Sequence, residues 1–161
     1  MNNKNHLAAE IHQSKPFSSL EEEVSLSLLR TTDAWNAQTA VLFKNHGLSA
    51  TQYNVLRILR GAGETGLRCN EIGERMITRD SDITRLLDRM ERAELIARER
   101  DTRDRRAVIT RISAKGLALL ATLDEPVARL NRQLLAHLSQ EQLLGALALL
   151  DRMRQPWRQA R

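Results

Sequence analysis

Between residues 69 and 112 the spacing of apolar residues changes from helical to alternating, and this change limits the folds that the chain can adopt. Ile72 and Met76 lie four residues apart, which predicts a short helix over about Asn70 to Met76. A second helix is predicted by an apolar stripe at helical spacing, which consists of Ile83, Leu86, Leu87 and Met90. After position 94, alternation predicts two strands of about five residues around a charged loop, Asp101 to Arg106. The expected order is therefore helix, turn, helix and β-hairpin.

This order is typical of a winged helix-turn-helix, whose second helix enters the major groove of DNA. We expect Asp80 or Ser81 to cap that helix by accepting a bond from a free amide of its first turn. The polar residues of the turn and of the second helix are the candidates to face double-stranded DNA: Arg79, Ser81, Asp82, Thr84, Arg85 and Arg89.

These candidates suit different contacts. Arg85 can donate two bonds to guanine, and Thr84 can touch a thymine methyl group or a phosphate. Asp82 has two interpretations, either as an acceptor from cytosine or as a charge that only favours the helix dipole. Arg89 lies one turn later, so we expect it to meet phosphate or to pair with an acid such as Asp82 or Asp88.

The tip of the predicted hairpin is rich in charge, with Arg103, Arg105 and Arg106 interspersed with Asp101 and Asp104. A charged loop is usually only solvated, but directly after a helix-turn-helix it lies beside the duplex. An arginine gains from the negative potential of a narrow minor groove. A neighbouring aspartate can orient that arginine through a bidentate pair, and Asp104 with Arg106 suits this arrangement.

Four segments carry a resemblance to the MarR family of winged-helix transcriptional regulators, namely LSATQYNVLRIL, CNEIGERM, SDITRLLDRMERAELI and DRRAVITRISAKGLALL. The resemblance extends over about residues 20 to 155, and its most specific parts are the run from Asp104 to Arg106 and the S-x-K-G segment from Ser113 to Gly116. It implies a homodimer that binds a pseudo-palindromic operator and often releases it when a small phenolic ligand or an oxidant arrives. By motif position it makes Arg106 the wing arginine, with Asp104 as its partner.

Two positions depart from the family pattern. Glu94 stands where the family usually has glycine after the recognition helix, so this helix is expected to end without a glycine cap. The turn between the two helices, Ile77-Thr78-Arg79, also lacks the usual glycine.

Composition agrees with a DNA partner. The 161 residues predict one domain, and a formal charge of +5 with a pI near 10.1 suits a polyanion. The histidines have no metal-ligand spacing, and we find neither a phosphate-binding loop nor a nucleophile with a nearby base, so no metal, no cofactor and no enzymatic activity are expected. The sequence shows no signal peptide or membrane span, and its single cysteine excludes an internal disulfide, which predicts a cytoplasmic protein.

The flanking segments are rich in leucine at helical spacing. We therefore predict a disordered or extended tail over residues 1–18, a dimerisation helix over 19–46, a DNA-binding lobe over 47–113 and C-terminal dimerisation helices over 114–157. We expect Ser113 to cap the first of the C-terminal helices. Pro126 predicts a kink or break in that helix near Thr122 to Glu125, and Ser139 with Gln142 predicts a capping box for a last helix that ends near Pro156. The alternative is that these helices only enlarge the core of a monomer. The fold class is mainly α with a small β-hairpin wing.

Three residues have open roles. Trp35 and Tyr53 are candidates to line a pocket for a phenolic or aromatic effector, although ordinary core packing is the commoner role of such residues. Cys69 lies near a helix N-terminus beside Arg68, which favours a redox-responsive thiolate, yet a buried and inert cysteine is the commoner case. The sequence thus predicts a dimeric DNA-binding transcriptional regulator, which we expect to be a repressor. Two alternatives stay open: redox control through Cys69, or a winged-helix module that binds proteins without DNA.

Overall fold

The computed structural model describes residues 6–78, 82–101, 104 and 106–158, apart from the side chain of Arg158. The chain forms two compact units, residues 1–121 and 122–161. The helices are α1 (His6–Glu10), α2 (Leu20–Lys44), α3 (Ala50–Ala62), α4 (Cys69–Arg75), α5 (Ile83–Arg92), α6 (Ala114–Leu135) and α7 (Gln140–Arg158), and a 3₁₀ turn covers Gly63–Thr65. The strands are β1 (Leu67–Arg68), β2 (Ile96–Arg100) and β3 (Val108–Ile112). The mainly α fold with a β-hairpin wing is thereby confirmed.

The core of the first unit is built by the helices of the predicted lobe. Its fully buried side chains include Val55, Leu56, Leu59, Ile72, Leu86, Leu87 and Met90. Of the apolar stripe predicted for the second helix, Leu86, Leu87 and Met90 are therefore confirmed as its buried face, and Ile83 is half-buried. Each such side chain contributes about 1.5–3 kcal/mol by leaving water, so the lobe has the apolar content to hold its own helices together.

The sheet has three antiparallel strands in the order β1-β3-β2, one more strand than the sequence predicts. The hairpin pairs Arg98 with Thr110 in its centre, and Thr110 is buried. The extra strand β1 has only two residues and thus no period to detect. Gly66 leads into it with φ +64°, where a Cβ atom would lie 2.6 Å from Ile109 Cγ2 and 2.7 Å from the Thr110 carbonyl oxygen. Glycine is required there by both backbone conformation and space.

The recognition helix α5 begins and ends differently from the prediction. Asp82, rather than Asp80 or Ser81, is its N-cap, because Asp82 Oδ1 accepts from the Arg85 amide at 3.2 Å. At its end Glu94 adopts φ 59°, the left-handed conformation that usually favours glycine. The Glu94 amide donates to Glu91 and the Leu95 amide donates to Met90, which is a Schellman motif. The helix thus ends without a glycine, as expected, but it still has a left-handed cap, because Glu94 adopts the conformation that glycine usually supplies.

Helix α6 begins at the S-x-K-G segment. Ser113 Oγ accepts from the Gly116 amide at 2.9 Å and donates to the Glu94 carbonyl oxygen at 2.6 Å, so the predicted cap is confirmed and also ties α6 to the end of α5. A Cβ atom on Gly116 would lie only 2.2 Å from the Leu95 carbonyl oxygen. This close approach explains the glycine of the segment.

The second unit corrects the prediction of a helix break. Helix α6 continues through Pro126 to Leu135, because a proline removes one amide donor without preventing helical residues on both sides from continuing. The capping box is confirmed: Ser139 Oγ accepts from the Gln142 amide, and Gln142 Oε1 accepts from the Ser139 amide. Helix α7 then runs past Pro156 to Arg158.

The N-terminal segment also differs from the disordered or extended tail that was expected over residues 1–18. Residues His6–Glu10 form α1, Leu7 is buried, and the Glu10 carboxylate lies 3.6 Å from Arg30 Nε of α2. One buried leucine and an ion pair to α2 therefore hold this short helix. Within the described residues, no helix is long and apolar enough to cross a membrane.

Candidate nucleic-acid interface

The exposed face of α5 carries Thr84 and Arg85, on the side opposite its buried stripe. The Arg85 side chain is 82% exposed, and its Nε lies 3.1 Å from Asp82 Oδ2. Asp82 thus caps the helix with one carboxylate oxygen and pairs with the Arg85 guanidinium through the other. The cap agrees with the interpretation of Asp82 as a charge that favours the helix dipole. Arg79 and Ser81, the other candidates of the turn, lie outside the described residues.

The turn between α4 and α5 is fastened from α3. The Ile77 amide donates to Asn54 Oδ1 at 3.0 Å. Met76, just before it, has ordinary extended backbone angles. A side-chain acceptor from a neighbouring helix therefore supports this glycine-free turn, and a single asparagine among polar residues of α3 gave no sequence signal for that role.

Arg89 is exposed, and within the described part of the chain no carboxylate lies at ion-pair distance from it. Its expected partner Asp88 pairs instead with Arg98 of β2, at 2.6 Å. An exposed, unpaired arginine on the same helix as Arg85 fits the phosphate contact that was the other expectation for Arg89.

Arg98 joins the recognition helix to the wing. Its Nε donates to Glu91 Oε2 at 2.9 Å, while its terminal nitrogen reaches Asp88, and its side chain is only 24% exposed. Hydrogen bonding to Glu91, helped by Asp88 against the effect of partial burial, raises the pKa of Arg98. Because this arginine pairs with two acids of α5, it fixes the first half of the wing relative to the helix that would enter DNA.

The wing is closed by backbone bonds around Asp104. The Asp101 amide donates to the Ala107 carbonyl oxygen at 2.9 Å, and the Ala107 amide donates to the Asp104 carbonyl oxygen at 2.8 Å. Arg106 is exposed beyond this closure. Arg103 and Arg105 were also predicted to face DNA and lie outside the described residues.

Asp104 supports the wing in a different way from the expected pair with the Arg106 guanidinium. Its Oδ1 accepts from the Arg106 backbone amide at 3.1 Å, and its Oδ2 lies 3.6 Å from a terminal nitrogen of Arg68. An aspartate two residues before an amide readily forms such a turn, which leaves its second oxygen for another cation. The role of Arg68 was not predicted from the sequence, because its two partners lie more than thirty residues later in the chain. They come close to Arg68 only because β1 pairs with β3.

The three residues whose roles the sequence left open, Tyr53, Trp35 and Cys69, differ in their surroundings. Tyr53 is buried and stacks on Phe43, with ring centroids 4.4 Å apart, so it is a core residue in this chain. Trp35 of α2 is half-buried. Cys69, the first residue of α4, is also half-buried rather than enclosed in the core.

A helix-turn-helix with an exposed arginine on its second helix, followed by a basic hairpin fastened to that helix, defines the winged-helix class of DNA-binding proteins. The MarR family model matches residues 48–108, the lobe that holds these elements. The chain belongs to the MarR family of transcriptional regulators, which are not enzymes.

Individual relatives agree with this assignment. The chain is 30% identical over 108 residues to the HTH-type transcriptional regulator MhqR of Bacillus subtilis, covering 67% of this chain and 73% of MhqR. The solved MarR transcription factor of Planctomyces limnophilus is 37% identical with a TM-score of 0.65, covering 84% of this chain and 98% of that one. The PcaV regulator of Streptomyces coelicolor, solved in complex with its natural ligand, is 26% identical with a TM-score of 0.68, covering 86% and 96%.

Proposed function

We propose that the protein is a homodimeric repressor that binds a pseudo-palindromic operator, with α5 in the major groove and the wing at the neighbouring backbone or minor groove. The observation that carries this proposal is the joint presentation of Arg85 and Arg106. Both side chains are exposed. The ion pair of Arg98 with Asp88 connects the wing, which carries Arg106, to α5, which carries Arg85. Arg85 would read a base edge, and Arg106 would add affinity without much sequence preference.

The dimer would form through the terminal helices. Large apolar side chains remain exposed on both, including Leu20, Leu29 and Val41 on α2 and Leu144, Leu147, Leu149 and Trp157 on α7. Exposed apolar surface on this scale marks an interaction site. A second copy of the chain on these helices would place two recognition helices about 34 Å apart, which is one turn of DNA.

Release by a small aromatic ligand is the regulatory part of the proposal. The ligand complex of the similar PcaV supports an effector in this family. Trp35 is the candidate contact, since it is half-buried on α2 and no described ring stacks on it, whereas Tyr53 is already engaged by Phe43. Trp35 fluorescence, with Trp157 replaced by Phe, would report binding during a screen of phenolic acids.

Binding to duplex DNA across a range of salt concentrations tests the function directly. A reader that makes about six phosphate contacts loses affinity with a log–log slope near −5. The operator would first be selected from genomic fragments, and the same titration on a random duplex gives the non-specific reference. Failure to bind any duplex at low salt would favour the protein-interaction alternative.

Two substitutions distinguish the role of Arg85 from that of Arg106. Arg85→Ala should lower operator affinity by about 1–3 kcal/mol and relax the preference at one base pair. Arg106→Ala should weaken operator and random DNA to a similar extent, because it removes a backbone or minor-groove contact. Arg30→Ala on α2 is the matched control, since it removes the same charge from a residue paired with Glu10 and Asp33. Equal losses for Arg85→Ala on both duplexes would contradict base reading by Arg85.

A further inference from the structure

Arg68 places its guanidinium between two acids of the wing. Its terminal nitrogen lies 3.5 Å from Asp101 Oδ2 and 3.6 Å from Asp104 Oδ2. Asp101 directly follows β2, and Asp104 lies within the hairpin tip, two residues before Arg106. A single cation therefore links the start of the wing tip to its middle.

The backbone of Arg68 is held firmly enough for its side chain to act as an anchor. Arg68 pairs with Ile109 of the central strand β3. Its amide donates to Glu71 Oε2 at 2.7 Å, in the first turn of α4. The preceding glycine, Gly66, lies so close to β3 that a Cβ atom would clash there. Three separate constraints thus fix the origin of this side chain on the lobe.

The position of Arg68 is unusual for its residue type. It is the residue before α4, where serine, threonine, aspartate or asparagine normally caps the helix through a side-chain oxygen. An arginine has no acceptor, so it gives up this cap. Its carbon chain instead reaches the wing, where its side chain remains 45% exposed and the Asp101 side chain is 20% exposed.

Charge makes this contact matter for DNA binding. Asp101 and Asp104 lie at the tip that would approach the phosphates, and their negative charge opposes that approach. Arg68 offsets part of that charge. It also steadies Asp104, whose other oxygen accepts from the Arg106 amide at 3.1 Å. The same carboxylate therefore couples Arg68 to the position of Arg106.

We propose that Arg68 is a positioning residue of the wing, which holds Asp101 and Asp104 so that Arg106 is presented to DNA and the two acids are screened from the phosphates. This role rests on the proposed function. A positioning residue differs from one that contacts phosphate directly, because Arg68 would affect DNA binding only through the two aspartates.

A double-mutant cycle on DNA binding distinguishes the two roles. The variants are Arg68→Gln, Asp104→Asn and their combination, with Arg30→Gln as the charge-matched control. Asparagine keeps an oxygen for the Arg106 amide, so Asp104→Asn removes the ion pair and one negative charge but keeps the turn. We expect Arg68→Gln to weaken operator binding about tenfold and Asp104→Asn about threefold. The combination should bind no worse than Arg68→Gln alone, and better if repulsion by the freed carboxylate dominates.

The salt dependence gives the second readout. In the Arg106→Ala background, Arg68→Gln should leave the log–log slope unchanged if Arg68 only positions Arg106, because the positioned contact is already absent. A direct contact would instead lower the magnitude of that slope by about 0.9 and leave the effects of Arg68→Gln and Asp104→Asn additive. That pair of results, or an Arg68→Gln variant that binds as well as Arg30→Gln, overturns the proposal. Circular dichroism melts identify any variant that has lost its fold.

Hydrogen exchange separates a failure of this proposal from a failure of the proposed function. Arg68→Gln should speed amide exchange at Arg106 and Ala107, which bond to Asp104, and leave the Ile77 amide unchanged. If the wild type binds no duplex while these amides still respond, the operator function fails and the wing anchor stands. If DNA binds and the amides do not respond, Arg68 does not hold the wing.

Discussion

Helices α5 and α7 carry similar leucine stripes in the sequence, yet the structure uses them in opposite ways. In α5 the stripe is enclosed, with Leu86 2% exposed and Leu87 1% exposed. In α7 the stripe includes Leu147, which is 64% exposed, and Leu150, which is 37% exposed. The local pattern therefore fixes which face is apolar but not what covers it. The DNA-binding lobe encloses its own apolar stripe, whereas α7 presents an exposed apolar face, which the proposed dimer would cover.

The largest expected effect comes from charging that face. Leu147→Glu with Leu150→Glu should convert a dimer into a monomer, because two carboxylates would have to lose water at an apolar contact. Operator affinity should fall by about 10²–10⁴-fold, as linkage between two half-sites is lost. Sedimentation and a binding titration measure the two effects.

A control with the same added charge tests whether the face itself matters. Ala148→Glu with Gln155→Glu places two carboxylates on exposed positions of α7 that lie about 80–100° around the helix from Leu147 and about 140–160° from Leu150, at about 100° per residue. This variant should remain a dimer and bind the operator normally. Dissociation by both variants to the same extent would remove the argument for an interface on the Leu147 face.

The same substitution in the two regions should have opposite signs. Gly116→Ala in α6 should destabilise the lobe by about 1–3 kcal/mol or more, because its Cβ would lie 2.2 Å from the Leu95 carbonyl oxygen, and overpacking forces the backbone to move. Gly145→Ala in α7 should stabilise by up to about 1 kcal/mol, because no described atom lies within 4 Å and alanine favours the helix. Chemical denaturation compares the two free energies of unfolding. A stabilised Gly116→Ala variant would show that the contact between α6 and Leu95 relaxes without penalty.

Local patterns predicted most of the fold because each reports a local cause. The stripe of α5, the alternation of β2 and β3, and the Ser113 and Ser139 caps all depend on residues within a few positions of each other, and all were confirmed. Of the kink or break predicted at Pro126, the break is wrong, because a helix of 22 residues keeps its other backbone hydrogen bonds on both sides of the proline. The kink stays a prediction.

The site was predicted less completely because its support is non-local. The sequence led to the exposed Arg85 and Arg106, but the residues that hold them come from elsewhere in the chain. Asn54 fastens the turn from α3, and Arg68 reaches the wing from β1. Neither residue belongs to a periodic pattern, and β1 is too short to have one. Only strand register brings Arg68 and Asp104 together.

The smallest expected effect lies at Glu94, where the completed lobe retains some backbone strain. Glu94→Gly should stabilise the lobe by about 0.5–1 kcal/mol, because φ 59° is unfavourable for a residue with a Cβ and free for glycine. The exposed ion pair between Glu94 and Lys115, at 3.1 Å, is worth less than this and would be lost as well. Lys115→Gln measures that loss alone, so the difference between the two variants in denaturant isolates the backbone contribution. If Glu94→Gly is as destabilising as Lys115→Gln, the left-handed end of α5 carries no strain, and the ion pair to α6 is the reason that glutamate serves there.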